Sequence, residues 1–326
     1  MVNYRLSLSR LNEILRRQDP PRFGSEYVPA ILAERTEAPA HSRPRRVWSP
    51  KLNRECHLLS SVEERAFRLA LYNPDVFEVH EQRMLAMEAR PHPLVGHPLG
   101  VGQLLPSLEG TIAVAERLDF LHLHPRLHVR GQDGAPVSAP FPWIGDLLLF
   151  VMDDQGPYCV NWTIKGSSEG FNRSFPKARP AKDPEKDRGE AKARHAIEEI
   201  YYRDAGIRTV RVVESDIPDT LDANLRRLYL AFGVTAELDT EIRARLLDRL
   251  QACLLTGRPP MEVFLSMRSQ YDVNVLALKA YMEQAIWRRE LRVDLFGAPI
   301  FADQPLVPEK TDVLTKYAHW FAREAS

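Results

Sequence analysis

Hydrophobic positions change their period several times along the chain, and each change predicts a different element. From Leu59 to Tyr72 apolar residues recur at helical spacing (Leu59, Val62, Ala66, Leu69). Asn73-Pro74 ends the run, because a residue before proline is pushed out of the helical region. Val76 to Val79 then alternates as a half-buried strand does. Leu127 to Arg130 leads into the turn signal Gly131-Gln132-Asp133-Gly134, and Asp146 to Met152 is a continuous apolar run. Tyr158 to Lys165 reads as a further strand, Glu190 to Asp204 as a helix with Gly206 as its stop, and Arg208 to Val213 as a β-branched strand. Helix, strands, helix, strand is the order of an α/β core.

From Leu238 the pattern is helical. Helices are predicted over Thr240 to Leu255, stopped by Gly257, over Pro260 to Gln270, and over Asp272 to Glu290, where Asp272 can cap. Two short strands, Leu291 to Phe296 and Ala298 to Phe301, flank Gly297. Three helices and a hairpin predict a winged-helix-like, mainly α tail with its recognition helix at Asp272 to Glu290 and its wing at Gly297. Met84 to Pro140 is rich in Pro and Gly and poor in periodicity, so it reads as an insertion. The expected organisation is a helical or linker segment over 1–45, an α/β domain over 46–232 with the insertion at about 84–140, and the helical tail over 233–326.

Composition narrows the class. With 326 residues, 44% hydrophobic and 27% charged, the chain can fill two cores and stay in water. No apolar run is long enough for a bilayer, and Met1 to Arg17 is a charged, Leu-spaced stretch, so a cytoplasmic protein is expected. Cys56, Cys159 and Cys253 are odd in number and far apart, which argues for reduced packing residues over a disulfide framework or a zinc knuckle. Lys and Arg balance Asp and Glu at 44 each, so attraction to a polyanion must come from local patches. Two stand out: Arg43, Arg45, Arg46, Lys51 and Arg54 with no acid among them, and Arg173 to Arg194. The second includes Lys177, Arg179 and Lys182 in a Pro-rich, loop-like half that reads either as an arm along phosphates or as a solvated surface loop.

Hydrolysing a phosphodiester with a divalent metal needs hard oxygen ligands and a cation near the attacking water. Asp146 begins a buried strand, the next strand ends in Thr163-Ile164-Lys165, and the upstream helix offers Glu63 and Glu64. Adjacent strand ends bring Asp146 and Lys165 to one edge of a sheet, and alternation puts Thr163 on the side of Lys165. The bland alternative is that both charges only terminate strands beside Gly145 and Gly166. His122 and His124 would share a face of a strand and so offer a metal pair, or be exposed on an edge strand broken by Pro125. His195 reads as a helix-surface residue or a phosphate contact. No P-loop is present, which argues against nucleotide hydrolysis.

Ser60-Ser61-Val62-Glu63, Asn73-Pro74-Asp75-Val76 and Glu81-Gln82 resemble the nuclease signature of the TnsA endonucleases of Tn-seven-like transposases, members of the PD-(D/E)xK superfamily. Phe141 to Asp146 is similar to that family's Thr-Pro-Asp block, Val160 to Lys165 to its strand ending in Gln-x-Lys or Glu-x-Lys, and Gly206-Ile207-Arg208 fits the strand that follows. The likeness covers about residues 45–232. It implies a restriction-endonuclease-like mixed sheet flanked by helices. It also implies Glu63 and Asp146 as ligands of Mg2+ (Mn2+ substituting) with the Ile164 carbonyl, Lys165 orienting the water, and Gln82 in support. Glu63 is preferred to Glu64 for its spacing from Asn73-Pro74 and Gln82. Two positions depart: Thr163 stands where the family has Glu or Gln, and Trp143-Ile144-Gly145 precedes the acid where it has Pro.

The function so implied is cleavage of the 5′ strands at transposon ends, beside a TnsB-type integrase-like transposase and a TnsC-type AAA+ ATPase regulator. Arg45, Arg46, Lys51, Lys177, Arg179 and Lys182 would contact DNA, in a nucleoid-associated bacterial protein. Two alternatives stand beside it: a stand-alone restriction or repair nuclease, and a non-catalytic DNA-binding adaptor bridging transposase and ATPase, which Thr163 favours.

Overall fold

The computed structural model describes residues 6–39, 42–130, 136–173 and 183–324. They form two compact units: Met1–Ala66, Asp75–Asp216 and Trp320–Ser326 in one, Phe67–Pro74 and Ile217–His319 in the other. In chain order the elements up to the first strand pair are α1 (Leu8–Gln18), β1 (Arg45–Ser49) and β2 (Arg54–Leu58). Then come α2 (Ser61–Tyr72), β3 (Val76–Glu81), α3 (Thr111–Arg117), β4 (Arg126–Arg130), β5 (Pro136–Pro140), β6 (Leu147–Asp153), β7 (Gly156–Lys165), α4 (Pro184–Arg203) and β8 (Arg208–Val213). The rest is helical: α5 (Asp219–Phe232), α6 (Thr240–Thr256), α7 (Pro260–Tyr271), α8 (Val275–Trp287), α9 (Val313–Lys316) and α10 (Ala318–Phe321).

The first unit is built on a four-stranded mixed sheet, β3-β6-β7-β8, so the α/β expectation holds. β3, β6 and β7 pair antiparallel, while β8 returns through α4 to lie parallel to β7. Leu147 pairs with Trp162, which puts Asp146 and Thr163 next in register, at the strand ends. β6 and β7 are apolar on both faces because both are covered. On one side Leu148, Phe150 and Cys159 share a core with Ile197, Tyr201 and Tyr202 of α4. On the other, Trp162 packs against Trp320 and Phe321 and its indole N–H donates to the Trp320 carbonyl at 3.0 Å.

Three expectations about organisation need refinement. The stretch from Met84 to Pro140, read as an insertion, also carries core residues, since Leu85, Leu94, Leu108, Val114 and Ala115 complete the core that α4 covers. These side chains are spaced singly between Pro and Gly turns, so they leave no period in the sequence, and α3 among them is too short to show one. The chain end does not stay with the helical tail: from Trp320 it belongs to the sheet unit, where Arg323 donates to both Asp153 oxygens at 2.6 and 2.7 Å. The helical unit also starts earlier than residue 233, because α5 packs against α8, with Tyr229 and Phe232 against Trp287 at ring distances of 5.5 and 5.8 Å.

The expected wing does not form either. Between Leu291 and Phe301 the described backbone has a single bridge, Val293 to Pro308, and no strand. Asn224 of α5 accounts for this. Its amide donates to the carbonyls of Leu295 and Ala298 at 3.0 and 2.9 Å and accepts the Ile300 N–H at 2.9 Å, taking up the groups a hairpin ladder would use. Asp272 caps no helix start; with φ of 50° it ends α7 in the left-handed region, and Asn274 caps α8 by accepting the Leu276 N–H. Among the described residues no helix is long and apolar enough to cross a membrane.

Candidate functional site

Residues from four elements and one turn meet at the strand ends where β6 starts and β7 stops. Asp146 enters β6, and strand pairing holds its carboxylate: the Ile164 N–H donates to Oδ2 at 2.6 Å. Lys165, on the same face as Thr163, places Nζ 3.3 Å from that oxygen and 3.0 Å from the Ile164 carbonyl. Asp146 Oδ1 accepts no hydrogen bond among the described residues.

Glu63 arrives from the first turn of α2. Ser60 accepts the Glu63 N–H at 3.1 Å and donates to Glu63 Oε1 at 3.0 Å, the reciprocal pair that starts helices. The Leu59 N–H and the Gln82 amide, at 2.8 and 2.9 Å, both donate to Oε2. Burial pushes the Glu63 carboxyl up to about 7, and the Asp146 charge pushes the same way against the hydrogen bonds and Lys165. Gln82 holds this position from a strained backbone, φ 48°, with its N–H on the Asp146 carbonyl at 3.0 Å. Glu64 points elsewhere, to Arg45 at 3.1 Å, which agrees with the choice of Glu63 over its neighbour.

Glu198 escaped the sequence, and His195 reads there only as a helix-surface residue or a phosphate contact. Glu198, on α4, accepts the Thr163 hydroxyl at 2.8 Å and the Asn161 amide at 3.0 Å on the same oxygen, and is buried. His195, one turn earlier, is also buried, not a surface residue, with its ring 5.2 Å from that of Phe171. Burial holds its imidazole down to about 3, helped by the charges of Lys165, Arg194 and Arg211, so it is neutral here. Their signal was two polar residues inside an apolar stripe, Ala191, His195, Glu198, Tyr202, at spacings of four, three and four.

The basic patches divide. Arg45 and Arg46 are exposed on β1. Arg54 is buried, donating to both Glu81 oxygens at 2.7 and 2.8 Å, and so is no phosphate contact. Lys51 is half-buried; desolvation pulls its ammonium down to about 8 while Asp75 opposes. Lys177, Arg179 and Lys182 lie outside the described residues. Helix α4 begins at Pro184, earlier than the Glu190 expected, so the later part of the basic stretch is helical. The expected pairing of His122 with His124 fails because no strand runs there: His122 sits exposed in a 3-10 turn, and His124 is buried against Thr111 Oγ1 at 3.0 Å.

No family model matches the chain, and no curated protein matches it. Chemistry is therefore the test of fit to a divalent cation. Among the described residues no three His, Cys, Asp or Glu side chains surround one point as in a preformed cage. The donor set instead offers a free carboxylate oxygen on Asp146, a buried carboxylate on Glu63 whose ionisation the Asp146 charge opposes, and the Ile164 carbonyl. Hard oxygens of this kind fit an ion such as Mg2+, which keeps several waters of its own.

Proposed function

We propose that the chain is a Mg2+-dependent DNA endonuclease of the TnsA type, acting in a transposase complex on the 5′ strands at transposon ends. The observation that carries the reading is the meeting of Glu63, Asp146 and Lys165 at the ends of β6 and β7. The order α2, antiparallel β3, β6 and β7, then α4 and parallel β8, with α3, β4 and β5 intervening between β3 and β6, supports the restriction-endonuclease-like reading of the sheet. A bound divalent ion would acidify a water and neutralise charge on the phosphate. Asp146 and Glu63 would hold it, with the Ile164 carbonyl. Lys165, fixed by Asp146 Oδ2, keeps its ammonium at the open edge, where it attracts the scissile phosphate and stabilises charge developing on it. Arg45 and Arg46 supply sequence-independent attraction to the backbone.

The test is strand-resolved cleavage of end-labelled element DNA with the transposase and ATPase regulator present. Mg2+-dependent loss of the 5′ strands, absent when the chain is omitted, is the expected result. One observation favours a second reading, the DNA-binding adaptor: the carboxylate of Glu63 already takes three protein donors, as a helix-start Glu does. In that case 5′ strands stay intact in both Mg2+ and Mn2+.

A further inference from the structure

Thr163 contributes a buried hydroxyl to the site, and that hydroxyl donates to a carboxylate brought by another element. The β6–β7 ladder ends at Leu147–Trp162, and Asp146 and Thr163 are the next residues beyond it on the two strands. The acceptor of the Thr163 hydroxyl is Glu198 Oε1, so the carboxylate of Glu198 lies at the same strand ends. Gly145, the residue before Asp146, lies beside this carboxylate: a Cβ placed there would be in ordinary contact with Glu198 Oε1, at 3.8 Å.

Glu198 is a costly residue to bury. It is 4% exposed, and no Lys or Arg among the described residues pairs with it. Thr163 and Asn161 satisfy Oε1, while Oε2 accepts nothing among the described residues. A neighbouring group is unsatisfied as well: Asn161, 1% exposed, donates through Nδ2 to Glu198, Thr163 and Thr209, and its Oδ1 is buried with no partner. Turning the amide over would set Oδ1 against Glu198 Oε1, so the orphan is not removed by exchanging O and N. A buried carboxylate without a counter-charge, beside a second carboxylate with a free oxygen, is the arrangement a cation completes.

We propose that Glu198 of α4 is a ligand of the divalent cation, direct or through one bound water, and supplies from the helix the negative charge that Thr163 does not supply from the strand. This rests on the metal-dependent reading of the site. It makes Thr163 a positioning residue, whose hydroxyl fixes Glu198 Oε1 and leaves Oε2 toward the cation.

The experiment titrates the full-length chain with Mn2+, read by electron paramagnetic resonance or calorimetry, which needs no DNA and no cleavage. Glu198→Gln keeps an acceptor for Thr163 and Asn161 and removes only the charge, so Mn2+ affinity should fall by about tenfold or more with an unchanged circular dichroism spectrum. Moving the charge back to the strand, in Thr163→Glu combined with Glu198→Gln, should restore Mn2+ affinity to within about threefold of wild type; a purely structural role for Glu198 would not be rescued so. If Glu198→Gln does not fold, the double variant alone decides by binding Mn2+ or failing to. Wild-type affinity in Glu198→Gln overturns the assignment of Glu198 and leaves the nuclease reading standing. Absence of Mn2+ binding by the wild type overturns both. Loss on Glu198→Gln without rescue by the double variant also overturns it.

Discussion

Asp146 and Ile164 are joined by one short hydrogen bond, Ile164 N–H to Asp146 Oδ2 at 2.6 Å, so the pairing of β6 with β7 also aims a carboxylate. The same oxygen receives Lys165, and Oδ1 is left as a free hard donor. A ligand fixed by backbone needs no reorganisation when it binds, which is the form of preorganisation that active sites use.

Asp146→Asn follows directly from that geometry. The amide oxygen can still accept the Ile164 N–H, while the charge is gone. Cleavage of the 5′ strands should fall by roughly 100-fold or more, and the thermal midpoint should stay within a few degrees. Near-normal cleavage by this variant would remove Asp146 from the site.

A buried carboxylate on β3 makes stability depend on pH. Glu78 is pushed up to about 7, chiefly by burial, against hydrogen bonds such as that from the Gly24 N–H at 2.8 Å. Its Oε1 is buried without a partner, 3.6 Å from His80 Nε2. The folded state thus holds this proton more tightly than the unfolded chain does. The resulting stability is complete below the ordinary carboxyl value near 4.5 and is lost as pH rises toward 7. Glu78→Gln cannot titrate, so its stability relative to wild type should improve from pH 5 to pH 7.5. Urea unfolding of both proteins without metal measures the gap, and a gap that is flat or shrinks with pH contradicts the assignment.

Arg54 and Arg45 look alike in the sequence and should behave as opposites. Arg54→Met leaves Glu81, fully buried, with its countercharge removed, which costs about 3–5 kcal/mol. Replacing exposed Arg45 and Arg46 by Ala should change urea stability little, yet weaken DNA binding for all sequences and flatten its salt dependence. Urea melts and salt-dependent DNA titrations on both variants separate the two roles.

These contrasts mark how far residue pattern reaches. The strands β6 and β7 were legible because runs buried on both faces leave largely apolar sequence, β8 because it is β-branched, and α2 because Val62, Ala66 and Leu69 keep one period. Glu63, Asp146, Lys165 and Gln82 lie together at the strand ends. Strand ends and alternation point to Asp146 and Lys165, while the choice of Glu63 over Glu64, and of Gln82, rests on the family resemblance. Glu198 was hidden, and His195 reads as a surface residue, because a polar residue in a helical stripe shows its purpose only once Thr163 and Phe171 are seen opposite it. The wing failed for a related reason. Gly297 marks a turn, but Asn224, more than seventy positions away, claims the backbone groups on both sides of it.

The clearest division between an enzyme and an adaptor runs through Lys165. Its ammonium is anchored to Asp146 Oδ2 and the Ile164 carbonyl, and its stem lies against Gly170, where a Cβ would come within 3.0 Å of the lysine Cβ. The group is therefore held at the edge where a phosphate would arrive. Interactions that strengthen only as charge develops lower the rate of chemistry more than they lower binding. Lys165→Ala should enter the complex with transposase and DNA at close to wild-type affinity while cutting the 5′ strands on the order of 100-fold more slowly. Lys165→Arg keeps the charge on a planar, bulkier head and should recover only part of the rate. An adaptor would give another result: 3′ cleavage by the transposase would proceed, 5′ strands would stay whole with the wild type, and neither substitution would change anything. Single-turnover cleavage, with the 5′ and 3′ strands labelled separately and DNA binding measured in parallel, reads both alternatives in one experiment.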